Sequence, residues 1–487
     1  MKKLQDILYG VSIESTIGST AILIKGIEFD SRKVQKETLF VAQKGDVLDG
    51  YDFISNAIEQ GAVAIICEKI PEKCVMGIVY VIVASASEAL GLIVANFYDN
   101  PSKNLKLIGI TGTNGKTTVA SLLFELFTAV GYSCGLISTI KILYKNSKLD
   151  NSHTTPDALV LNKHLSKMID SGISHCFMEV SSHGIAQHRI NGLCFSGGVF
   201  TNLTHDHLDY HGNFKSYRDT KKLFFDQLPK TAFALTNIDD KNGAFMLQNC
   251  NASNHTYALK QYADFKAQIL ECEFSGTLFK IQGQEVWTNL AGEFNVQNLL
   301  AVYSVANLLG ESSLETLKQI SALKPIRGRF ETFKTEENVT IVIDYAHTPD
   351  ALENVLRAIN KIRTRNETLI TIVGCGGNRD REKRPMMGNK AAALSDKVIF
   401  TSDNPRDEDP TSIISEIMEG VAAEDYKKAL KITHREEAIT VAGDLVSQGD
   451  IVLIAGKGHE NYQEIKGRRI PFNDLEIAQK IFLKTNN

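Results

Sequence analysis

Residues 107–118 read L-I-G-I-T-G-T-N-G-K-T-T, and their types and spacing suit one task, holding a phosphate. A turn through Gly112, Thr113, Asn114 and Gly115 leads into Lys116, Thr117 and Thr118. Backbone N–H groups of such a turn point outward, a helix starting at Lys116 adds partial positive charge, and the Lys116 ammonium adds a full one. The Thr117 hydroxyl suits a phosphate-bound Mg²⁺. This chemistry needs a strand to deliver the turn and a helix to start in it. Residues 105–110 are an apolar run of strand type. Val119, Leu122, Leu123, Leu126, Phe127 and Val130 keep helical spacing, with Gly131 at a C-cap position. The strict spacing G-x-x-x-x-G-K-[ST] is not met, because Ile110 stands five residues before Gly115. An ordinary glycine-rich strand-to-helix turn is the alternative, but G-K-T-T straight after a buried-type strand favours a nucleotide. A phosphate site alone names no reaction.

Further polar residues gather where strands end. Thr154-Thr155-Pro156-Asp157 opens a helix with threonine capping and proline in the first turn. The strand H-C-F-M-E-V at 175–180 ends near Glu179 and runs into Ser181-Ser182-His183-Gly184. An acid at the carboxyl end of a strand beside a phosphate loop is placed to meet Mg²⁺, and a solvated strand-end glutamate is the plainer reading. Strand 198–202 delivers L-T-H-D-H-L-D-Y-H-G-N, with His205, Asp206, His207, Asp209 and His211 close together. Zinc is one reading, but no cysteine completes the set and two acids interleave. A polar loop lending one imidazole to Mg²⁺ fits better. Lys221 and Lys222 follow on a helix and read by spacing as surface lysines. Asn295 and Asn298 share one side of a helix start, suited to reading a base edge or to capping. Near the C-terminus four strands, 340–344, 369–373, 397–401 and 451–455, each empty into a polar loop: Tyr345–Asp350, Gly374–Asp380, Ser402–Arg406 and Gly456–Glu460. The carboxyl ends of a parallel sheet face a ligand crevice.

The elements that carry these residues form an α/β chain in three parts. Residues 1–103 mix short strands (27–30, 38–42, 63–67, 78–83) with one helix at 50–61, and Pro101-Ser102 marks a linker. Asp30-Ser31-Arg32 there reads most simply as a turn. Residues 104–325 alternate strand and helix as a parallel sheet does, and 326–487 repeat that pattern. A length of 487 residues exceeds one ordinary core. With 43% apolar and 23% charged residues and a formal charge of −4, the chain has the composition of a globular protein and offers no electrostatic case for nucleic acid. No signal-peptide pattern and no bilayer-length apolar run is present, so no membrane insertion is expected. The eight cysteines are scattered, several within apolar runs, as in a reduced, cytoplasmic protein.

Taken in order, the strings T-G-T-N-G-K-T-T, M-E-V-S-S-H-G-I-A-Q-H-R, T-N-L-T-H-D-H-L-D-Y-H-G, G-E-F-N-V-Q-N, I-R-G-R-F-E, D-Y-A-H-T-P-D, G-C-G-G-N-R-D, D-N-P-R and G-K-G-H-E resemble the Mur ligase superfamily over nearly the whole chain. Its phosphate loop has the same shortened form. The resemblance implies a UDP-binding α/β domain at 1–103, a central P-loop ATPase-type parallel sheet at 104–325 and a Rossmann-like amino-acid-binding domain at 326–487. It is nearest to the members that use ATP and Mg²⁺ to add meso-2,6-diaminopimelate to UDP-N-acetylmuramoyl-L-alanyl-D-glutamate through an acyl-phosphate, in peptidoglycan precursor synthesis, and implies a monomer.

Carried over by position, the resemblance gives Gly112 to Thr118, Asn295, Arg329, Asp344 and His347 to ATP. Thr117, Glu179, His207 and a carbamylated Lys221 go to the metal, and Lys116, Glu179, His207 and Lys221 to catalysis. Ser31, Asp46, Val47, Leu48, Thr154, Thr155, Ser181, Gln187 and Arg189 match contacts to the UDP-muramoyl-dipeptide. His153 stands where the family more often has asparagine. Arg379, Asp403, Asn404, Pro405, Arg406, Gly456 and Glu460 match the amino-acid pocket. Diaminopimelate ends in an ammonium and a carboxylate, lysine in an ammonium alone, and the guanidinium of Arg406 suits the extra carboxylate. Alternatives are a lysine-adding member, folylpolyglutamate synthase and an inactive UDP-sugar-binding regulator. Arg406 argues against the first, the D-N-P-R string and the N-terminal domain against the second, and the presence of Lys116, Glu179 and His207 against the third.

Overall fold

The structure, a computed structural model, describes residues 1–45, 48–149, 151 and 153–483. Three sheets organise it. The first has five strands in the order Ile13–Ile17, Val79–Val83, Ala62–Cys67, Thr38–Val41, Gly26–Glu28, parallel except for the edge strand Ile13–Ile17. Its one expected helix is a 3-10 turn, Gly50–Phe53, running into the helix Ile54–Glu59, and a longer helix, Ala86–Phe97, was not expected. Ser85 caps that helix by accepting from the Glu88 N–H, and Leu90, Ile93 and Val94 bury against the sheet. Pro101-Ser102 is not an open linker. It lies in a buried 3-10 turn, where the Ser102 hydroxyl accepts from Cys194 N–H at 2.9 Å.

The central sheet has eleven strands. Parallel strands run through its middle in the order Cys134–Ile137, His175–Glu179, Lys106–Thr111, Gly197–Phe200, Phe233–Asn237, Ser253–Ala258, Phe265–Glu273. The sheet is mixed rather than wholly parallel, because antiparallel strands extend both edges: Ile142–Tyr144 and Ser147–Leu149 on one side, Gly276–Ile281 and Gln284–Thr288 on the other. Helices Lys116–Val130 and Glu293–Leu308 bury Leu122, Phe127, Leu299 and Tyr303 on one face. Helices Ala158–Asp170 and Phe214–Asp226 bury Leu161, Leu165, Tyr217 and Phe224 on the other.

The third sheet orders Glu331–Lys334, Thr340–Asp344, Ile451–Ala455, Leu369–Val373, Lys397–Phe400, Ala429–Lys431, parallel except for its first strand. Strands Thr340–Asp344, Leu369–Val373 and Ile451–Ala455 are nearly continuous apolar runs, buried along their whole length, as burial on both faces requires. No helix among the described residues is long and apolar enough to cross a membrane.

Candidate active site

The strand Lys106–Thr111 ends at Gly112, whose φ of +148° no ordinary side chain adopts easily; a Cβ there would lie 1.9 Å from Thr201 Oγ1. Thr201 Oγ1 donates to Asn114 O at 2.6 Å, and the Asn202 amide accepts from Asn114 N at 2.9 Å. The loop's backbone is therefore tied to the next strand, and the helix Lys116–Val130 starts from Gly115 in the left-handed conformation. Lys116 Nζ donates to Gly112 O and Thr113 O at 2.9 and 2.8 Å, and burial lowers its pKa against the pull of Glu179 and Asp206.

Glu179, fully buried at the end of the adjacent strand, accepts from Thr117 Oγ1 at 3.0 Å, Thr139 N at 2.7 Å and Thr139 Oγ1 at 3.2 Å. It is not a solvated strand-end acid. Its contact with Thr117 sets two hard oxygen donors side by side, suited to Mg²⁺. Arg329, from the C-terminal part, donates to the same Thr117 hydroxyl at 3.2 Å and stacks over Tyr345 at 4.4 Å, while its Nε has no hydrogen-bond partner among the described residues.

Both lysines read as surface residues are buried. Lys221 is 1% exposed, with Nζ donating to Gly112 O at 2.9 Å over the Tyr217 ring. Burial first, and then the Lys116 charge, hold its pKa well below the usual lysine value. Lys222 turns away and pairs with Asp226 and Gln248 O. The reason is the helix face: Tyr217, Lys221, Phe224 and Phe225 all turn inward. His207 stands just before the short helix Leu208–His211 at φ +55°, within 3.4 Å of Asp206 and edge-on to His183. Burial pushes its pKa down to about 3, so it is a neutral imidazole able to ligate. His211 also faces His183, with its pKa pushed down to about 4. No group of three or more His, Cys, Asp or Glu able to hold a metal occurs among the described residues. A site drawn from Thr117, Glu179, His207 and a modified lysine has only two such residues.

A cavity of about 470 Å³ opens from the loop toward the C-terminal part, lined by Asn114, Asn295, Asn298, Arg329, Asp344 and His347 among others. Thr118 also lines it, and Asn114 Nδ2 donates across it to Asp350 at 3.0 Å. Asn295 is held by Ala291 O at 2.8 Å. Asp344 accepts from the N–H groups of Phe330 and Ala346 at 2.7 Å each, and burial raises its pKa to about 6. His347 Nδ1 meets Tyr345 O at 2.8 Å.

On the other side of Glu179, Thr155 is fully buried. It donates to Glu179 O at 2.9 Å and accepts from Ser181 N, while Thr139 donates to Thr154 at 3.0 Å. Helix Ala158–Asp170 is capped by Asp157 and not by either threonine; Val160 N–H donates to the aspartate at 2.9 Å, leaving both threonines to the site. Ser181 caps Ser182–Ala186. Arg189 donates to Thr155 O at 2.7 Å and to the Gln187 amide at 3.0 Å. Ser31 is the buried residue of the 3-10 turn Ser31–Lys33, in which Asp30 accepts from Arg32 N–H, and Leu48 is 65% exposed. Asp46 and Val47 lie outside the described residues.

At the far end, Asn404 donates to Glu460 at 2.8 Å, and the fully buried Lys457 donates to both at 2.9 Å. Asp403, also buried, accepts from Asn404 N–H, and Gly456 abuts its carboxylate. Arg406 donates to Gly377 O at 2.8 Å and meets Glu464 at 3.3 Å; Pro405 and Arg379 flank it. Asn202, Asp350 and Lys457 belong to these networks yet were not singled out, although each sits inside a string already conspicuous in the sequence.

Three family comparisons match the chain: Mur ligase family, catalytic domain, at residues 23–98; Mur ligase middle domain at 110–306; and Mur ligase, glutamate ligase domain, at 328–458. A UDP-N-acetylmuramoyl-L-alanyl-D-glutamate–2,6-diaminopimelate ligase of Cytophaga hutchinsonii is 49% identical over 480 residues, covering 98% of this chain and 99% of the relative. A solved structure of a ligase of that name superposes with a TM-score of 0.71 at 32% identity, covering 99% of this chain and 98% of the other. A MurF ligase from Thermotoga maritima in complex with ADP shares the fold at 19% identity and a TM-score of 0.63, covering 94% and 97%.

Proposed function

The chain belongs to the Mur ligase family, and from that premise we propose that it is an ATP-dependent ligase joining meso-2,6-diaminopimelate to UDP-N-acetylmuramoyl-L-alanyl-D-glutamate in peptidoglycan precursor synthesis. The observation that carries this is identity of nearly one half, end to end, with a relative of that name. A carboxylate is a poor acyl donor because its leaving group would be oxide. Attack of the D-glutamyl carboxylate on the γ-phosphorus of ATP releases ADP and leaves an acyl-phosphate. The diaminopimelate amine then attacks the acyl carbon, and the tetrahedral intermediate expels phosphate and sheds a proton to give the amide.

The chain's share in this is alignment and charge. The loop from Gly112 to Thr118, with Lys116 and Arg329, takes the phosphates; Asn295, Asp344 and His347 line the remainder of the nucleotide. Thr154, Thr155, Ser181, Gln187 and Arg189 hold the acyl substrate beside Glu179, and residues 31 and 46–48 its uridine end. Arg379, Asp403 to Arg406, Gly456 and Glu460 hold the amino acid. Lys221, its pKa held well below the usual lysine value by burial, is suited to add carbon dioxide, lose a proton and become an anionic carbamate. With that carbamate, Thr117, Glu179 and His207 would hold Mg²⁺, which supplies neutralisation of phosphate charge. The protein acts as a monomer in the cytoplasm, where its nucleotide substrates are made. Substrate labelled with ¹⁸O in the D-glutamyl carboxylate tests the route: one labelled oxygen is expected in the released phosphate, and unlabelled phosphate would refute the acyl-phosphate.

A further inference from the structure

Arg384, in the first turn of the helix Lys383–Leu394, is fully buried, and the reaction above gives it nothing to do. Its guanidinium grips Glu408 with both ends, Nη2 to Oε1 at 2.8 Å and Nη1 to Oε2 at 2.9 Å. It also donates to Glu416 at 2.7 Å and to Gly376 O at 3.3 Å. Glu408 in turn accepts from the backbone N–H of Asn378, and the Arg384 fork holds its carboxyl down at about 2. This pair is thus the tie between two loops, 374–380 and 403–408.

Other contacts close the same seam. Gly377 N–H donates to Asn404 O at 2.9 Å, Asp407 N–H to the Asn378 side chain at 3.2 Å, and a Cβ on Gly377 would lie 2.0 Å from Pro405 O. Each loop also carries a left-handed residue that is not glycine, Asn378 at φ +52° and Arg406 at φ +50°. Such conformations persist only where the surroundings over-determine them, and arginine has no local device for adopting one. The seam holds two guanidiniums, Arg379 and Arg406, near enough that Arg406, after burial, lowers the Arg379 pKa. Like charges so placed separate unless their backbones are fixed. A buried ion pair is a poor source of net stability, but a two-pronged arginine–carboxylate contact fixes orientation.

We propose that Arg384 and Glu408 are positioning residues that lock loop 374–380 to loop 403–408 and so set the spacing of Arg379 and Arg406 for an amino-acid substrate with two carboxylates. This rests on the reading of the amino-acid pocket given above. Glu408→Gln keeps size and shape but removes the charge at a side chain that is about a quarter exposed, Arg384→Lys keeps the charge but not the fork, and melting temperature is read for both. Loss of one charge-assisted contact is expected to raise KM for diaminopimelate about tenfold in either variant, with kcat and KM for ATP within about twofold of the parent. A merely structural role would move both KM values and the melting temperature together, and that result, or an unmoved KM for diaminopimelate, would overturn the lock. Absence of diaminopimelate-dependent phosphate release from the unaltered chain would instead remove the reaction, and the proposal with it.

Discussion

Gly91→Ala probes how the helix Ala86–Phe97 is seated on segment 187–193, which is proposed to hold the acyl substrate. Gly91 lies inside the helix Ala86–Phe97, where alanine is favoured over glycine by about 1 kcal/mol. Something must offset that preference. A Cβ at Gly91 would lie 2.4 Å from Asn191 O and 2.7 Å from Asn191 Cβ, against an ordinary contact of 3.4 Å or more. Segment 190–193 must therefore retreat by about 1 Å, and forcing such a contact costs about 1–3 kcal/mol. Net destabilisation is expected between zero and about 2 kcal/mol. Asn191, where the clash falls, is two residues from Arg189, which holds Thr155 O, and four from Gln187. Displacement of about 1 Å in a positioning element can cost up to about a hundredfold. KM for the UDP-muramoyl-dipeptide should rise at least about tenfold, with KM for ATP unchanged, because the phosphate loop is tied to Thr201 and Asn202 instead. Initial rates with each substrate varied in turn, beside thermal melts, make the measurement. A more stable variant with the parent's KM would show that the contact yields freely and positions nothing.

Arg406→Ala removes the guanidinium held by Gly377 O and Glu464, and should raise KM for diaminopimelate about ten- to a hundredfold while sparing ATP; equal effects on both would refute its assignment. Lys221→Ala should lower kcat by about a hundredfold or more, and the parent enzyme stripped of carbon dioxide should lose activity and regain it with bicarbonate; indifference to both would refute the carbamate. His459 is neutral when folded, its pKa pushed down to about 3 by burial and by Arg329, whereas the unfolded chain takes up a proton below about 6.5. Its contribution is therefore complete above pH 6.5 and is lost as pH falls, amounting to about 2 kcal/mol at pH 5, with Asp344 acting in the opposite sense between its ordinary value and about 6. His459→Phe should flatten the acid limb of a melting-temperature profile, and an unchanged limb would refute this.

What the sequence made legible was local. A strand, a glycine turn and a helix are adjacent in the chain at 105–130, and their residues show the phosphate loop without any partner. Glu179 was legible as a strand end, but its burial by Thr117 and Thr139 was not, because those come from two other connections. Lys221 illustrates the limit. A lysine alone reads as surface, yet Tyr217, Lys221 and Phe224 fall at helical spacing on one face, and that pattern held the signal. Arg329, Asp344 and His347 reach the cleft from a separate sheet, so only resemblance to a family could associate them with Lys116. The edge hairpins and the helix Ala86–Phe97 escaped for a different reason: the strands are short and polar on one side, and the helix is apolar nearly all round, so neither period stands out.

The most direct test of the central claim is phosphate release from ATP and Mg²⁺ with the UDP-muramoyl-dipeptide, in bicarbonate buffer, comparing meso-diaminopimelate with L-lysine. Release that depends strongly on diaminopimelate and hardly at all on lysine is the predicted result. Equal release with lysine, or none with either, would contradict it.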